Sequence, residues 1–125
     1  LKSQKKNIKK NIKFLNKIKK MVDIFQFEMI KKKIDKRYLG TIVDKSWKIK
    51  KNFSSRITNN YIDKLYVKVK KFGANGAKII GAGAGGFLMV FANKKTQKKI
   101  IKNSNKNVLL KIKCEHQGSK VIYED

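Results

Sequence analysis

The chain has 125 residues, with 33 Lys or Arg against 8 Asp or Glu and a formal net charge of +25. This length suits one domain with a core of its own, and the single cysteine excludes a disulfide framework and a cysteine-based metal cluster. No apolar run approaches the roughly 20 residues that span a bilayer, and no apolar signal segment follows the basic N terminus. We therefore expect a cytoplasmic protein that contacts no membrane.

The strong positive charge raises nucleic acid or an anionic surface as a partner. Only two of the 33 basic residues, Arg37 and Arg56, are arginines, and the lysines are spread over almost the whole chain. The guanidinium fork is the usual tool for specific phosphate and base recognition. We therefore expect no specific nucleic-acid partner, and a coding bias toward Lys, Asn and Ile accounts for the charge.

The first predicted element is a long amphipathic helix, because apolar residues recur every three or four positions with lysines opposite them. A basic helix of this kind can also bind a membrane surface or a calmodulin-like partner. An apolar stripe is more often part of a core, and we interpret it so here. The predicted packing stripe consists of Ile8, Ile12, Leu15, Ile18, Val22, Phe25 and Met29.

The second predicted helix covers Asp35 to about Lys51. Its inward residues follow the same spacing and are Leu39, Ile42, Val43, Ser46 and Trp47. A basic, hydroxyl-bearing segment follows and includes the candidate substrate-binding residues Lys50, Lys51, Ser54, Ser55 and Arg56. Such groups can bind the phosphate of a sugar phosphate through charge-assisted hydrogen bonds. They can equally be a solvated helix end whose lysines complement the helix dipole, and both interpretations stay open.

A third helix is predicted between the N-cap oxygens of Thr58, Asn59 and Asn60 and its end at Gly73. Its predicted buried face consists of Ile62, Leu65, Tyr66, Val69 and Phe72. Asp63 falls in the first turn, where the helix dipole stabilises a carboxylate. We therefore do not expect Asp63 to be a catalytic base.

The stretch from Gly73 to Ala92 holds six of the eight glycines of the chain. It predicts a strand at 77–80, a glycine loop at 81–86 and a strand at 87–92. The glycines of the loop would provide positive φ or close approach to a phosphate. A dinucleotide fingerprint would run into a helix, and a P-loop would end in G-K-S/T, so neither fits. Protein-kinase motifs are also missing from the chain.

The remaining predicted elements are a helix from about Lys94 to Asn103, an alternating strand from Val108 to Cys114 and, after a turn at Gln117-Gly118, a strand from Lys120 to Tyr123. His116 stands alone and suits a turn better than a ligand set. This order predicts an α+β fold, with an antiparallel sheet backed by helices.

The segment from Gly76 to Phe87, GAKIIGAGAGGF, resembles the third signature motif of the GHMP small-molecule kinases, G-A-K-x-x-G-A-G-x-G-G. The resemblance extends to residues 40–53, to 62–65 and to 118–123, and within the family it is nearest to the sugar-phosphate branch. It implies the family's ferredoxin-like C-terminal domain over residues 1–125. The chain starts at Leu1, and we expect the first two signature motifs and the catalytic aspartate in an N-terminal half that these residues lack.

This resemblance implies that the intact protein transfers the γ-phosphoryl group of ATP, with Mg²⁺, to a hydroxyl of a sugar phosphate such as a heptose 7-phosphate. Its partners would be ATP, the sugar phosphate and the N-terminal half, against which the first helix would pack in part. No catalytic residue or metal ligand is expected within residues 1–125, so this segment alone should be inactive. Lys78 matches the lysine of the motif, and its amine can point to phosphate or outward. The implied phosphate-binding residues are Gly81, Ala82, Gly83, Ala84, Gly85 and Gly86.

Two other functions stay open. The run from Gly86 to Phe91, GFLMVF, is similar to the aromatic strand of an RNA-recognition fold, although Leu88 and Met89 miss its small and aromatic positions. A non-catalytic scaffold that only binds a partner is the other alternative.

Overall fold

A computed structural model describes residues 8–31, 34–81, 85–104, 109–112 and 118–121. Its described elements confirm an α+β fold in which helices pack on an antiparallel hairpin. None of the helices in these ranges is both long and apolar enough to cross a membrane. The elements are α1 (Ile8–Ile30), α2 (Lys36–Lys50), a 3₁₀ turn (Lys51–Phe53), α3 (Asn60–Lys71), β1 (Gly76–Ile80), β2 (Phe87–Phe91) and α4 (Lys94–Lys102).

Side-chain caps define where three of the helices begin. Asp35 accepts a hydrogen bond from the backbone N–H of Tyr38 at 2.6 Å, and Asn59 accepts one from that of Ile62 at 2.9 Å. Asn93 caps α4 in the same way, through the N–H of Thr96 at 2.8 Å. Each cap satisfies a donor that has no partner within its helix, a contribution of about 1 kcal/mol. The predicted starts of α2, α3 and α4 are thereby confirmed to within a residue or two.

The core lies where α2 and α3 meet the inner face of the hairpin. Trp47 of α2 is fully buried and belongs to the same cluster as Ile62, Tyr66 and Val69 of α3. Leu65 and Phe72, which were predicted on the same face of α3, are half-buried. The cluster consists of Trp47, Ile57, Ile62, Tyr66, Val69, Ala74, Ala77 and Ile79.

The helix α1 is present as predicted, and its predicted packing stripe is confirmed at Ile18 and Phe25 but is wrong at four other positions. Ile12, Leu15, Val22 and Met29 are exposed. The side that packs is half-buried instead and consists of Phe14, Ile18, Met21 and Phe25, next to the buried Asn11. The Ile8 side chain lies outside the described part of the chain. The apolar period could not distinguish the predicted stripe from the one that packs, because α1 carries apolar residues on both of these adjacent faces. The contact of α1 with α2 selects one face.

Asn11 fixes the rotation of α1 on the rest of the fold. Its side-chain amide donates to the carbonyl oxygen of Phe53 at 2.8 Å, and the rings of Phe14 and Phe53 lie 6.3 Å apart. A buried amide without this acceptor would cost about 1 to 3 kcal/mol. The bond therefore favours the orientation in which Ile12 and Leu15 face outward.

The hairpin has a regular antiparallel register from Gly76 opposite Phe91 to Ile80 opposite Phe87. Successive strand residues point to opposite faces, so Ala77 and Ile79 enter the core and Lys78 lies on the other face. The strand bounds match the prediction to within one residue. Gly73, with φ of +100°, ends the turn that follows α3, as predicted.

The helix α2 runs alongside β1 in the same direction. At the start of both elements, a Cβ on Gly76 would overlap the carbonyl of Gly40, so the close approach requires glycine there. At their ends, Lys50 contacts Gly81. This arrangement brings the C terminus of α2 to the glycine turn between the strands.

The two C-terminal strands predicted from alternation are not found where the chain is described. Residues 109–112 and 118–121 form no strand, and Leu110 and Ile112 are 64% and 68% exposed. Val108, Cys114, His116, Gln117 and Tyr123 lie outside the described residues. Alternation predicts which side chains would share a face, but a strand also requires a neighbouring strand edge with which to pair.

Candidate phosphate-binding site at the glycine turn

The turn between β1 and β2 depends on two glycines with positive φ. Gly81 has φ of +114° and Gly86 has φ of +105°. A Cβ on Gly86 would also overlap the carbonyl oxygen of Ile80, so only glycine fits there. L-residues rarely adopt this backbone conformation. These two positions therefore set the path by which the chain leaves β1 and enters β2.

Gly85 differs from its neighbours, because its φ lies outside the positive range. Of the two roles expected for the loop glycines, positive φ or close approach to a phosphate, only the second stays a prediction for Gly85. A Cβ placed on it would meet no other atom of the described residues within 4 Å. Gly81, Gly85 and Gly86 are all exposed. Among the described residues, nothing in the fold therefore requires glycine at position 85. Ala82, Gly83 and Ala84 lie outside the described residues.

Lys50 is the candidate substrate-binding residue that lies at this turn. It is the last residue of α2, and its Nζ donates to the carbonyl oxygen of Gly81 at 3.4 Å. Its side chain is half-buried. The direction of α2 along β1 therefore places an ammonium group at the mouth of the glycine turn.

Lys78 lies on the face of β1 opposite to the buried Ala77 and Ile79. It is half-buried. Burial lowers the pKa of Lys78 below its ordinary value, and the positive charge of Lys50 lowers it further. The direction of the motif lysine toward phosphate, which was left open by the sequence, stays a prediction.

The other candidates in the segment after α2 are directed elsewhere. Lys51 forms an ion pair with Asp63 of α3 at 3.2 Å, and its Nζ lies 5.4 Å from the centre of the Tyr66 ring. Asp63 sits in the first turn of α3, as predicted. Lys51 therefore serves the contact between the 3₁₀ turn and α3.

Ser54, Ser55 and Arg56 form a turn of their own. The Ser54 hydroxyl accepts a hydrogen bond from the backbone N–H of Arg56 at 3.2 Å, and the Ser54 carbonyl accepts one from the N–H of Ile57. Ser55 and Arg56 are exposed. This turn presents hydroxyl and guanidinium groups to solvent while it inserts Ile57 into the core.

A buried carboxylate that the sequence analysis missed joins α2 to α3. Asp44 is 5% exposed and accepts from the Tyr66 hydroxyl at 2.9 Å. Its oxygens also pair with Lys48 at 3.0 Å and Lys70 at 3.3 Å. The sequence contained a signal for this buried carboxylate, because Asp44 lies between Gly40 and Trp47 on the inward face of α2. Lys48 follows it by four residues, the spacing at which side chains of a helix can pair.

The environment of Asp44 keeps it ionised. Burial raises the pKa of this carboxyl, but the hydrogen bonds from Lys48 and Tyr66 and the charge of Lys70 outweigh burial, so the pKa is lowered overall. Burial raises the pKa of Tyr66 to about 12, with further contributions from the bond and charge of Asp44. Because Asp44 is fully paired within the fold, we interpret it as a structural group.

In the ranges that the structure describes, no three His, Cys, Asp or Glu side chains cluster as a metal site would require. The described residues therefore offer backbone amides and ammonium groups, which bind anions.

Comparisons with known proteins identify the family of this chain. A family model described as GHMP kinases C terminal matches residues 15–109. The D-glycero-alpha-D-manno-heptose 7-phosphate kinase of Campylobacter jejuni subsp. jejuni serotype O:2 is 36% identical over 64 residues, which are 51% of this chain and 19% of that protein. The match thus spans far less than two thirds of the relative's length, and no solved structure gives a significant match. Because the family match includes α2, α3, α4, the hairpin and the glycine turn, the chain belongs to the GHMP kinases and matches the C-terminal part of that family.

Proposed function

We propose that the protein is an ATP-dependent kinase that phosphorylates a hydroxyl of a sugar phosphate, with a heptose 7-phosphate as the acceptor. Family membership and the heptose-phosphate kinase relative support this assignment. Residues 1–125 would form the C-terminal domain, and the main nucleotide loop and the catalytic groups would lie in the N-terminal part of the kinase. The exposed apolar stripe on α1 supports a contact with that part. We propose a cytoplasmic location for the same enzyme.

The observation that carries this proposal is the combination of an exposed glycine turn with an ammonium group at its mouth. Backbone N–H groups in a glycine-rich turn can form a concave site for anions, and the described glycines of this turn are exposed. Lys50 adds a positive charge at Gly81, and lysine binds phosphate as a point charge. These groups fit a phosphate better than any uncharged ligand.

The described residues at the turn fit ATP in part. Gly81, Gly85 and Gly86 would hold phosphate oxygens, while Lys50 would offset their negative charge. ATP supplies the phosphoryl group that is transferred, and in phosphoryl transfer the protein acts mostly through positioning and electrostatic stabilisation. Because the described residues contain no ligand set for a metal, we assign no step to magnesium here.

Coupled ATP turnover by the intact protein, with a panel of acceptors, tests the proposal. The panel contains a heptose 7-phosphate, other sugar phosphates, free sugars, homoserine and mevalonate. We expect turnover that depends on the sugar phosphate and is highest with the heptose 7-phosphate. Turnover only with homoserine or mevalonate would overturn the acceptor assignment, and a lack of turnover with every acceptor would overturn the kinase assignment.

A further inference from the structure

We propose that the side of α1 that points away from α2 is a docking surface for an anionic lipid bilayer. This outward face combines a row of lysines with an apolar patch at the C-terminal end of the helix. It consists of the exposed residues Lys9, Lys13, Lys20, Ile24, Phe27, Ile30 and Lys31. The contact is peripheral and requires no spanning helix, so it replaces the expectation of no membrane contact. It does not rest on the proposed kinase function.

The C-terminal third of α1 exposes three large apolar side chains on one side. Ile24, Phe27 and Ile30 are 55%, 54% and 74% exposed. Residues three apart in a helix differ in direction by about 60°, so Ile24 and Ile30 flank Phe27. Phe27 follows the half-buried Phe25 by two residues, a rotation of about 200°. The patch therefore points away from the body of the protein and is accessible to a flat surface.

Lysines extend the same face toward the N-terminal end of the helix. The exposed lysines that point within about 40° of the direction of Phe27 are Lys9, Lys13 and Lys20. Lys31 lies at the patch itself, with its Nζ 4.0 Å from the centre of the Phe27 ring. Asp23 is the acidic residue on this face in the described part of α1. The face is therefore strongly positive along its whole length.

This combination of charge and apolar surface is complementary to an anionic bilayer. Apolar side chains enter the boundary between headgroups and acyl chains, while the long stems of lysines let their ammonium groups reach lipid phosphates. Lys31 is placed to do so beside Phe27. The net charge of +25 adds attraction to the same surface at longer range.

Other occupants fit the outward face less well. A calmodulin-like partner encloses its target helix in a groove. One side of α1 is packed on α2 and the 3₁₀ turn, where Asn11 bonds to Phe53, so no partner can surround the helix. A second copy of this chain would carry the same charge of +25 and be repelled. A planar anionic surface requires only the one face that α1 leaves open.

The outward face is also distinct from the apolar stripe that supports a contact with the N-terminal part of the kinase. Leu15, Val22 and Met29 of that stripe point about 120° or more away from Phe27. Ile12 points between the two surfaces. Both contacts can therefore exist at the same time.

Cosedimentation of the intact protein with lipid vesicles tests the docking surface. Vesicles of equimolar phosphatidylcholine and phosphatidylglycerol provide the anionic surface, and vesicles of pure phosphatidylcholine provide a neutral one. We expect binding to the anionic vesicles that added salt weakens, and binding to the neutral vesicles that is weaker by at least about tenfold. Binding to neither kind of vesicle, or equal binding to both, would overturn the proposal.

Phe27→Ser and Lys20→Gln separate the apolar contribution from the charged one. We expect Phe27→Ser to weaken binding to the anionic vesicles by about tenfold and Lys20→Gln to weaken it by about fivefold. The matched controls are Ile101→Ser, at a 62% exposed residue of α4, and Lys45→Gln, at an exposed residue of α2. These controls should leave the affinity almost unchanged, and circular dichroism checks that all four variants are folded. Equal affinities for the variants and their controls would contradict the assignment of this face.

Phe27→Trp gives a readout of insertion that does not depend on affinity. Trp47, the one native tryptophan, is fully buried, so its emission should not respond to vesicles. We expect the emission of the introduced indole to shift to shorter wavelength on saturation with anionic vesicles, because its ring leaves water. Ile101→Trp should show no such shift. An unshifted spectrum for Phe27→Trp at saturation would show that the patch stays outside the lipid, against the proposal.

Two assays of Phe27→Ser distinguish the remaining occupants. Coupled ATP turnover without vesicles should be unchanged, whereas a loss of turnover with unchanged vesicle binding would assign the face to the N-terminal part of the kinase. Weak RNA binding should also be unchanged, because RNA contacts lysines through its phosphates alone. Vesicle binding that depends on Lys20 but not on Phe27 would reduce the contact to charge and overturn the docking of the patch. If no acceptor is phosphorylated but vesicle binding depends on both residues, the docking surface stands and the kinase proposal fails.

Discussion

The Tyr66 hydroxyl of α3 donates to the buried carboxylate of Asp44 on α2 at 2.9 Å, and this bond is the buried polar contact that fixes the two helices against each other. Lys70 reinforces it, because its Nζ contacts both Asp44 at 3.3 Å and the carbonyl oxygen of Asn75 at 3.0 Å, just before β1. The position of α2 along β1, and hence of Lys50 at the glycine turn, depends on this group of contacts.

We expect Asp44→Ala to destabilise the fold more than Tyr66→Phe. The alanine leaves the buried Tyr66 hydroxyl without its acceptor and frees Lys70, at a cost on the order of 2 to 3 kcal/mol. The phenylalanine removes one hydrogen bond and leaves Asp44 paired with two lysines, at about 1 kcal/mol. Urea unfolding of both variants and of the double variant measures the coupling. Additive effects would show that the bond contributes nothing specific.

The free energy of unfolding should fall at both low and high pH, because the Asp44 carboxyl and the Tyr66 hydroxyl both titrate. The pKa of Asp44 is lowered in the fold, so its contribution is present above the unfolded value of 3.8 and is lost as the pH falls through the lower folded value. The pKa of Tyr66 is raised from 10.0 to about 12, so its contribution is present below pH 10.0 and is lost as the pH rises toward about 12.

Urea midpoints across this pH range provide the measurement, with Tyr66→Phe as the control. The variant should lose the alkaline part of the pH dependence and should retain most of the acid part. An alkaline decrease of equal size in the variant would assign it to other groups.

Substitutions at neighbouring glycines should separate folding from binding. Gly86→Ala introduces a Cβ at positive φ against the carbonyl of Ile80, which we expect to destabilise the hairpin by about 1 to 3 kcal/mol. Gly85→Val meets no such obstacle in the fold, so it should remain folded. The intact enzyme should nevertheless lose turnover by at least about tenfold, because the side chain occupies the space proposed for phosphate. Circular dichroism and coupled ATP turnover measure the two effects, and a fully active Gly85→Val enzyme would remove the phosphate role of the turn.

Residues 1–125 by themselves should show no acceptor-dependent ATP turnover. Phosphoryl transfer requires nucleotide, metal and acceptor to be held together, and the described residues hold neither a metal cluster nor a carboxylate free to act as a base at the turn. The comparison is between this segment and the intact enzyme under the same coupled assay. Substantial turnover by the segment alone would place catalytic groups within it.

Nucleic-acid binding should be weak, independent of sequence and strongly dependent on salt. The charge of +25 comes almost entirely from dispersed lysines, which attract phosphates by counterion release without base readout. Fluorescence anisotropy with two unrelated RNAs at two salt concentrations is the appropriate measurement. Tight binding to one RNA that survives moderate salt would favour a nucleic-acid function over the kinase.

Local sequence signals by themselves determined the elements and the family motif. Helix ends were predictable because their signals act within a few residues of their own positions. Two helices begin at the N-caps Asp35 and Asn59, and α3 ends shortly before Gly73. The glycine turn was predictable for the same reason, since two strands that flank closely spaced glycines permit few other arrangements. These signals did not depend on which elements pack together.

Tertiary packing alone decided which side chains share the candidate site. Lys50 and Lys51 are neighbours in the chain, yet one points to Gly81 and the other to Asp63, because successive residues at a helix end diverge by about 100°. The rotation of α1 was likewise selected by the bond from Asn11 to Phe53 and not by its apolar period. The close approach of Gly40 to Gly76 is another such contact. These contacts join residues far apart in sequence, and local periodicity carries no information about them.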